Sequence, residues 1–185
     1  MGWVPQQRFS LAKHKGPHAR WPVKTALLCD GLPTGTQIEG CVIEAQYRCV
    51  AGHLLITSFD CPYEEANRFT LLDEHFQVLA AIELRVPYGS FLLNAHWPLD
   101  AHTLRLHYEM RRFFRLRIES PGGLLRRRHR LELARDEHAW TDDPRAAVAV
   151  RDTEDRLAAL RAELSLIDAV SLADPTDGVG GTPRS

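Results

Sequence analysis

Arginine is concentrated in residues 103–135, which contain ten basic and three acidic residues. Residues of one type that alternate along a strand lie on the same face of a sheet, and three strands are predicted here. We therefore take six arginines as candidates for binding an anion: Arg105, Arg115, Arg117, Arg126, Arg128 and Arg130. The face that carries them is the first place in this sequence where binding chemistry is indicated.

A turn at Ser120–Gly123 or at Gly122-Gly123 would place arginine opposite arginine across the hairpin. Arg117 would lie opposite Arg126 or Arg128, and Arg115 opposite Arg128 or Arg130. Like charges in opposite positions destabilise a pair of strands, so this face requires a negatively charged complement.

The complement is either within the chain or on a ligand. Net charge is +5 in residues 1–25, −7 in 26–102, +7 in 103–135 and −6 in 136–185, which together give the total of −1. An acidic block of similar size thus follows the arginines, and this favours internal neutralisation. Its predicted helix carries four acidic residues: Asp152, Glu154, Asp155 and Glu163. The alternative is a phosphate-bearing ligand or a nucleic acid.

The segment Asp60–Glu65, DCPYEE, contains a thiol, carboxylates and a phenol. Cys61 is a candidate nucleophile, but a thiol nucleophile needs a nearby base, and no histidine is close in sequence. Glu64 and Glu65 are adjacent and therefore point in different directions, which is poor geometry for paired acid–base work. The sequence favours a turn here, with an enzyme centred on Cys61 as the alternative and no catalytic residue assigned.

A metal site is not predicted. Cys41, Cys49, His53 and Cys61 are the nearest thing to a ligand set, but they contain no Cys-x2-Cys pair. Cys41 and Cys49 would lie about 26 Å apart on an unbroken strand, so one ion could not bind both. The cysteines are interpreted as buried thiols, and no cofactor is expected, because Gly-rich phosphate loops and nucleophile-elbow motifs are lacking.

The elements that position these residues are mainly strands. The chain has 185 residues, of which 44% are hydrophobic and 25% charged, as in a globular protein of one domain with tails. Alternating apolar residues predict strands at 41–50, 53–61, 76–86, 104–110 and 114–118. We expect a mainly β domain at residues 23–135, built as an antiparallel β-sandwich or a partly open barrel.

One stretch supports two predictions. Residues 76–86 alternate over six same-face positions, which favours a hairpin with the strand at 68–72. Apolar residues at 69, 72, 76, 79 and 82 also follow helical spacing. The alternative is therefore an α+β fold with an added helix at about 62–82.

The two ends differ from the centre. Residues 1–22 are predicted to form an extended basic arm, and residues 173–185 a disordered tail. Thr141–Pro144 is a helix start signal, and an amphipathic helix is expected at 143–169. Its apolar stripe contains four candidate oligomer-helix residues: Leu157, Leu160, Leu164 and Ile167. Packing of this helix on the β-domain is favoured, and pairing between two chains is the alternative.

No motif in the sequence identifies a chemical reaction. It has no apolar run near the roughly 20 residues that span a bilayer and no secretory h-region, so we expect a cytoplasmic protein without membrane contact. Twenty of its 23 basic residues are arginine, which is typical of bacteria with GC-rich genomes. We expect a non-catalytic interaction or scaffold module, forming a homo-oligomer or binding another protein. Anion or nucleic-acid binding is the alternative.

Overall fold

The structure is a computed structural model that describes residues 2–59, 66–85, 92–109, 111–120 and 128–172, with side chains as far as residue 165. The described part of the chain contains twelve strands: β1 (Val4–Pro5), β2 (Phe9–Leu11), β3 (Lys24–Cys29), β4 (Leu32–Glu39), β5 (Val42–Cys49), β6 (Gly52–Ser58), β7 (Asn67–Leu72), β8 (Val78–Leu84), β9 (Ala95–Pro98), β10 (Thr103–Tyr108), β11 (Arg112–Glu119) and β12 (Arg130–Arg135). Two helices follow them, α1 (Ala139–Asp142) and α2 (Pro144–Leu172). The predicted mainly β fold with a C-terminal helix is confirmed.

The strands form three antiparallel sheets. Sheet A has the order β1-β5-β6-β7-β8, sheet B has the order β2-β3-β4, and sheet C has the order β12-β11-β10-β9. Sheets A and C enclose the larger core, and the edge strands β8 and β12 contact each other. A smaller core lies between sheets A and B.

Strand β6 is buried along its whole length because both of its faces are covered. Leu54 and Ile56 point into the larger core, and Leu55 points into the smaller one. A strand buried on both faces has a continuous apolar sequence, as in HLLIT, rather than an alternating one. β6 is therefore the element that the two cores share.

The stretch at 66–85 is a hairpin, as predicted, and the alternative helix is wrong there. β7 pairs with β8 through a turn at residues 73–77, with Phe69 opposite Ile82. The turn is stabilised by Asp73, whose Oδ1 accepts hydrogen bonds from the backbone N–H groups of His75 and Gln77, both at 2.8 Å. The chain forms strands here rather than a helix because the alternation of apolar residues runs from 76 to 86 in the sequence. It therefore continues beyond the residues with helical spacing, which end at 82.

The basic N-terminal segment contributes two strands. β1 pairs with β5, β2 pairs with β3, and Trp3 and Phe9 are buried. Gln46 fixes this segment on β5, because its side chain accepts a hydrogen bond from Phe9 N at 2.8 Å and donates one to Phe9 O at 3.1 Å. Apolar anchors thus hold the segment, and its basic side chains remain at the surface.

The predicted register of the arginine hairpin is wrong. Arg117 lies opposite Glu132, Arg115 lies opposite Ala134, and Glu119 lies opposite Arg130. β11 ends at Glu119 and β12 begins at Arg130, and the turn expected at Ser120–Gly123 lies, beyond Ser120, outside the described residues. This register places Arg117 and Glu119 opposite residues of the other charge, which is more favourable than arginine opposite arginine between these two strands. Arg105 and Arg115, on β10 and β11, do lie opposite each other.

Candidate interaction site

The C-terminal helices dock on the outer face of sheet C. A small apolar cluster joins Phe113 on β11 and Trp97 on β9 to three residues of α1 and α2: Ala139, Ala146 and Val150. The Trp97 and Phe113 rings make an edge contact with centroids 6.3 Å apart. Small residues on the helices allow them to approach the two aromatic rings closely, so the start of α2 is fixed against the sheet.

Asp143 connects the start of α2 to the sheet. Its Oδ2 accepts hydrogen bonds from Trp97 Nε1 at 2.8 Å, Arg105 Nη1 at 3.0 Å and Arg145 Nη2 at 3.0 Å. Its Oδ1 accepts the backbone N–H of Arg145 at 3.0 Å, which satisfies one of the open donors of the first helical turn. Pro144 follows at the first helical position, where its missing N–H costs nothing.

The surroundings of Asp143 keep its carboxylate ionised. Burial would by itself raise the pKa of Asp143, but hydrogen bonds from Arg145 and Trp97 outweigh this effect and lower the pKa to about 2. The buried carboxylate therefore remains a negatively charged partner for arginine at neutral pH.

Arg105 is the buried cation of this anchor. It is only 5% exposed, and its guanidinium donates to Asp136 Oδ2 at 2.7 and 2.8 Å as well as to Asp143. Arg115, directly opposite Arg105, lies 3.6 Å from the same Asp136 oxygen. The Asp136 carboxylate thus lies close to both arginines, and a buried ion pair such as that of Arg105 is costly to break from one side.

The negative charge that faces Arg105 does not come from the predicted residues. Asp136 precedes α1 and Asp143 immediately precedes α2. The four acidic residues expected to neutralise the arginines are exposed, and none is in an ion pair recorded among the described residues: Asp152, Glu154, Asp155 and Glu163. Neutralisation is internal for Arg105, but it comes from the residues around the helix start.

Beyond Thr153, α2 leaves the domain. Residues 154–165 are all exposed, and Leu157, Leu160 and Leu164 are 40%, 49% and 61% exposed. These leucines continue the stripe that Val150 and Thr153 occupy in the docked part. The side chain of Ile167, the fourth candidate, lies outside the described ones. The three leucines predicted for pairing between chains are therefore not packed against their own domain.

A groove adjoins this stripe on the docked part of α2. It measures about 360 Å³ and runs between α2 and the first residues of β9. Its surface is mainly apolar. The lining combines apolar residues with polar and charged ones: Ala95, Trp97, Pro144, Val148 and Ala149 with Asn94, Arg145, Asp152, Thr153 and Arg156. Val148 is 51% exposed there, so the groove presents apolar surface next to the exposed leucines.

The remaining arginine candidates are dispersed. Arg115 and Arg117 line a cleft of about 620 Å³ on the outer face of sheet C, together with His102, Asp100 and Glu132. Arg128 and Arg130 are exposed outside this cleft, and Arg126 lies outside the described residues. The structure therefore brings two of the six candidates together on an open surface of mixed charge.

The proposed thiol chemistry at Cys61 lies outside the described residues, as does all of Asp60–Glu65. Cys29 and Cys49 are buried, and burial raises the pKa of both thiols, which favours the unreactive protonated form. The described part of the chain has no group of three or more His, Cys, Asp or Glu residues arranged to hold a metal ion.

Sequence reasoning missed one polar pair at the edge of the larger core. The Tyr47 hydroxyl on β5 shares a hydrogen bond with Nδ1 of His96 on β9 and so links sheet A to sheet C. Burial raises the pKa of Tyr47 and lowers the pKa of His96. Both side chains are therefore neutral near pH 7, and the pair connects the two sheets.

Asp136 and Asp143 were also missed as partners of Arg105. The signal was present in the sequence, because Arg105 interrupts the apolar residues Leu104 and Leu106 in a strand that is otherwise buried. An arginine in such a position needs a carboxylate. Its partners, however, are 31 and 38 residues away in the chain.

Comparison of the chain with models of known protein families, with curated proteins and with solved structures gives no match. Within the described residues, no helix combines the length and the apolar character needed to cross a membrane.

Proposed function

We propose that this protein is a self-associating interaction module in which α2 is the contact element. The observation that carries the proposal is the exposure of Leu157, Leu160 and Leu164 on a helix whose first part is anchored to the domain. Apolar side chains that recur on one face of an exposed helix are typical of helix–helix contacts.

The anchor makes the exposed segment suitable for binding. An isolated helix as short as the exposed segment, residues 154–165, is only marginally stable in water because helix nucleation is unfavourable. Here Asp143 caps the first turn and docking holds residues 146–153, so the later turns extend a helix that already exists. A partner therefore meets an ordered helix and does not have to order it, which reduces the cost of binding.

The test is the mass of the protein in solution. We expect the unmodified chain to form a dimer at high micromolar concentration, and Leu160→Glu to shift it to a monomer, because a buried glutamate would lack a partner at the helix contact. Ala159→Glu is the matched control, since residue 159 is exposed and adjacent but lies off the leucine stripe. Light scattering coupled to gel filtration measures the mass, and circular dichroism checks the fold.

A monomeric unmodified chain at the highest soluble concentration would contradict the proposal. So would equal loss of association in Leu160→Glu and Ala159→Glu, because the leucine stripe would then have no special role.

A second candidate function is anion binding in the cleft of sheet C. It is favoured by Arg117, which forms no ion pair with the described residues although Glu132 lies opposite it. Inorganic phosphate titrated by calorimetry tests this, with Arg117→Ala expected to abolish binding. Arg130→Ala serves as the control, because Arg130 is exposed but lies outside the cleft. Heat changes that are equal in both variants would count against the cleft.

A further inference from the structure

We infer that the partner of α2 is the α2 helix of a second copy of this chain, running antiparallel, with the distal end of each helix lying in the groove beside the other's docked segment. This inference rests on the proposed self-association and adds its orientation and its second contact surface. It is carried by the charges that flank the leucine stripe and by the position of the groove.

The leucine stripe defines a heptad pattern. With Leu157 at position a and Leu160 at position d, Thr153 is the preceding d and Leu164 the following a. Two flanking pairs follow from this assignment. Arg156 and Glu163 occupy g positions, and Glu154 and Arg161 occupy e positions. All four side chains are exposed, so they are available to a neighbouring helix.

A parallel pair of these helices brings like charges together. In a parallel coiled coil, a g residue faces the e residue of the partner's next heptad. Arg156 would then face Arg161 of the second copy, twice in a symmetric dimer. Like-charge pairs across a helix contact are unfavourable, and nothing else in the exposed segment offsets them.

An antiparallel pair brings opposite charges together. In this orientation g residues face g residues and e residues face e residues across the contact. With Leu157 packed against Leu160 of the second copy, Arg156 faces Glu163 of that copy, and Glu154 faces Arg161 of that copy. Symmetry repeats both pairs, so four complementary pairs border the contact.

The same register predicts what the rest of each helix contacts. Leu164 of the second copy lies level with Thr153 of the first copy. Among the described side chains of α2, Thr153 is the last that is buried against its own domain. The docked face of α2 is covered beyond this point, because Ala146, Val150 and Thr153 are buried against the domain. The groove opens beside this covered face, on the side of Ala149 and Arg156.

Residues 165–172 continue the helix of the second copy past this level. They therefore reach the turns of α2 that contain Val148 and Ala149, which belong to the apolar lining of the groove. The exposed stripe and the groove thus form one continuous surface, and a second copy supplies a segment of matching length for both parts.

Charge reversal distinguishes the two orientations by the sign of its effect. For the antiparallel pair, Arg156→Glu places glutamate opposite Glu163 of the second copy, and we expect the dimer to weaken about tenfold. Glu163→Arg should weaken it by a similar factor, and the double reversal should restore it. For a parallel pair, Arg156→Glu relieves the repulsion with Arg161 and would strengthen the dimer. Sedimentation equilibrium measures the dissociation constants.

The groove is tested separately with Val148→Glu, which we expect to weaken the dimer because it places a charge in the apolar lining. Val23→Glu is the control, since Val23 is 64% exposed and lies outside the groove. A chain ending at Ser165 should associate as weakly as Val148→Glu, and combining the two changes should add little.

Several results would overturn the inference. A stronger dimer in Arg156→Glu would reverse the orientation while leaving self-association intact. An unchanged dissociation constant in both charge variants would remove α2 from the interface. An unmodified chain that stays monomeric would remove the proposed function together with the inference, so the two failures are distinguishable.

Discussion

The two parts of α2 lie in opposite environments although they form one continuous helix. Residues 146, 150 and 153 of the first part are Ala, Val and Thr, and all three are buried against sheet C. Residues 157, 160 and 164 of the second part are leucines, and all three are exposed. The larger apolar side chains thus occur where the domain offers no cover, which indicates that the second part is shaped for a partner and the first for attachment.

Breaking the attachment of the first part of α2 to sheet C is expected to have the largest effect on stability. Asp143→Ala leaves Arg105 buried with one of its two carboxylate partners missing, and it removes the cap of α2. We expect a loss of about 3–5 kcal/mol in the free energy of unfolding. Urea denaturation measures it, in a Leu160→Glu background so that association does not contribute. Asp152→Ala, on the exposed face of the same helix, should change stability by less than about 0.5 kcal/mol; equal losses in the two variants would contradict the attachment.

Acid should weaken the attachment through the same carboxylate. The folded pKa of Asp143, about 2, is below its ordinary value of 3.8, so the ionised form stabilises the folded state. This contribution is complete above about pH 4 and is lost as the pH falls towards 2; it amounts to about 2 kcal/mol. Denaturation between pH 5 and 2 measures it against Asp143→Asn, which should show a shallower dependence. Parallel curves for the two proteins would be inconsistent with this role.

Two valines in a single turn of α2 test the difference between the buried and the exposed side of this helix. Val150 is 1% exposed and Val148 is 51% exposed. Val150→Ala removes two buried methyl-sized groups and should cost about 1.6 kcal/mol, with any residual cavity adding to this. Val148→Ala should cost less than about 0.5 kcal/mol in the monomeric background. Thermal denaturation of both variants checks the difference, which should vanish only if the docked face has been assigned wrongly.

The smallest effect is expected from removing the exposed part. A chain that ends at Glu154 keeps the anchor and the buried face of α2 but loses all three exposed leucines. In monomeric form its free energy of unfolding should differ from that of the Leu160→Glu variant by less than about 1 kcal/mol, because residues 155–165 are all exposed in the folded chain. A much larger loss would show that residues 155–185 support the domain directly.

The fold was predictable where the sequence signal is local. The hairpin at β7 and β8 follows from six alternating positions, and the start of α2 follows from a polar residue before Pro144. The hairpin of β3 and β4 also had a local signal, Asp30-Gly31, which was overlooked. Both residues have positive φ, 50° and 81°, and Asp-Gly is a common pair in such two-residue turns.

The site was less predictable because it depends on distant partners. The leucine stripe was visible in the sequence, but its exposure depends on where sheet C ends relative to α2. The neutralisation of Arg105 depends on Asp136 and Asp143, which only the folded chain brings near β10. Hydrophobic alternation determines which face of the sheet each residue of β12 occupies, but it allows register shifts of two residues, so it did not predict that Arg117 lies opposite Glu132.

The burial of β6 on both faces has a consequence for how the domain opens. Leu54 and Leu55 are neighbours in the chain but belong to different cores, so neither core can melt without exposing one face of the same strand. Gly52, at the start of β6, packs so closely against the carbonyl of Leu72 that a side chain there would collide with the backbone of β7. We therefore expect amide protons of β6 to exchange with solvent through opening of the whole domain, and those of the edge strands β1 and β9 to exchange through smaller fluctuations.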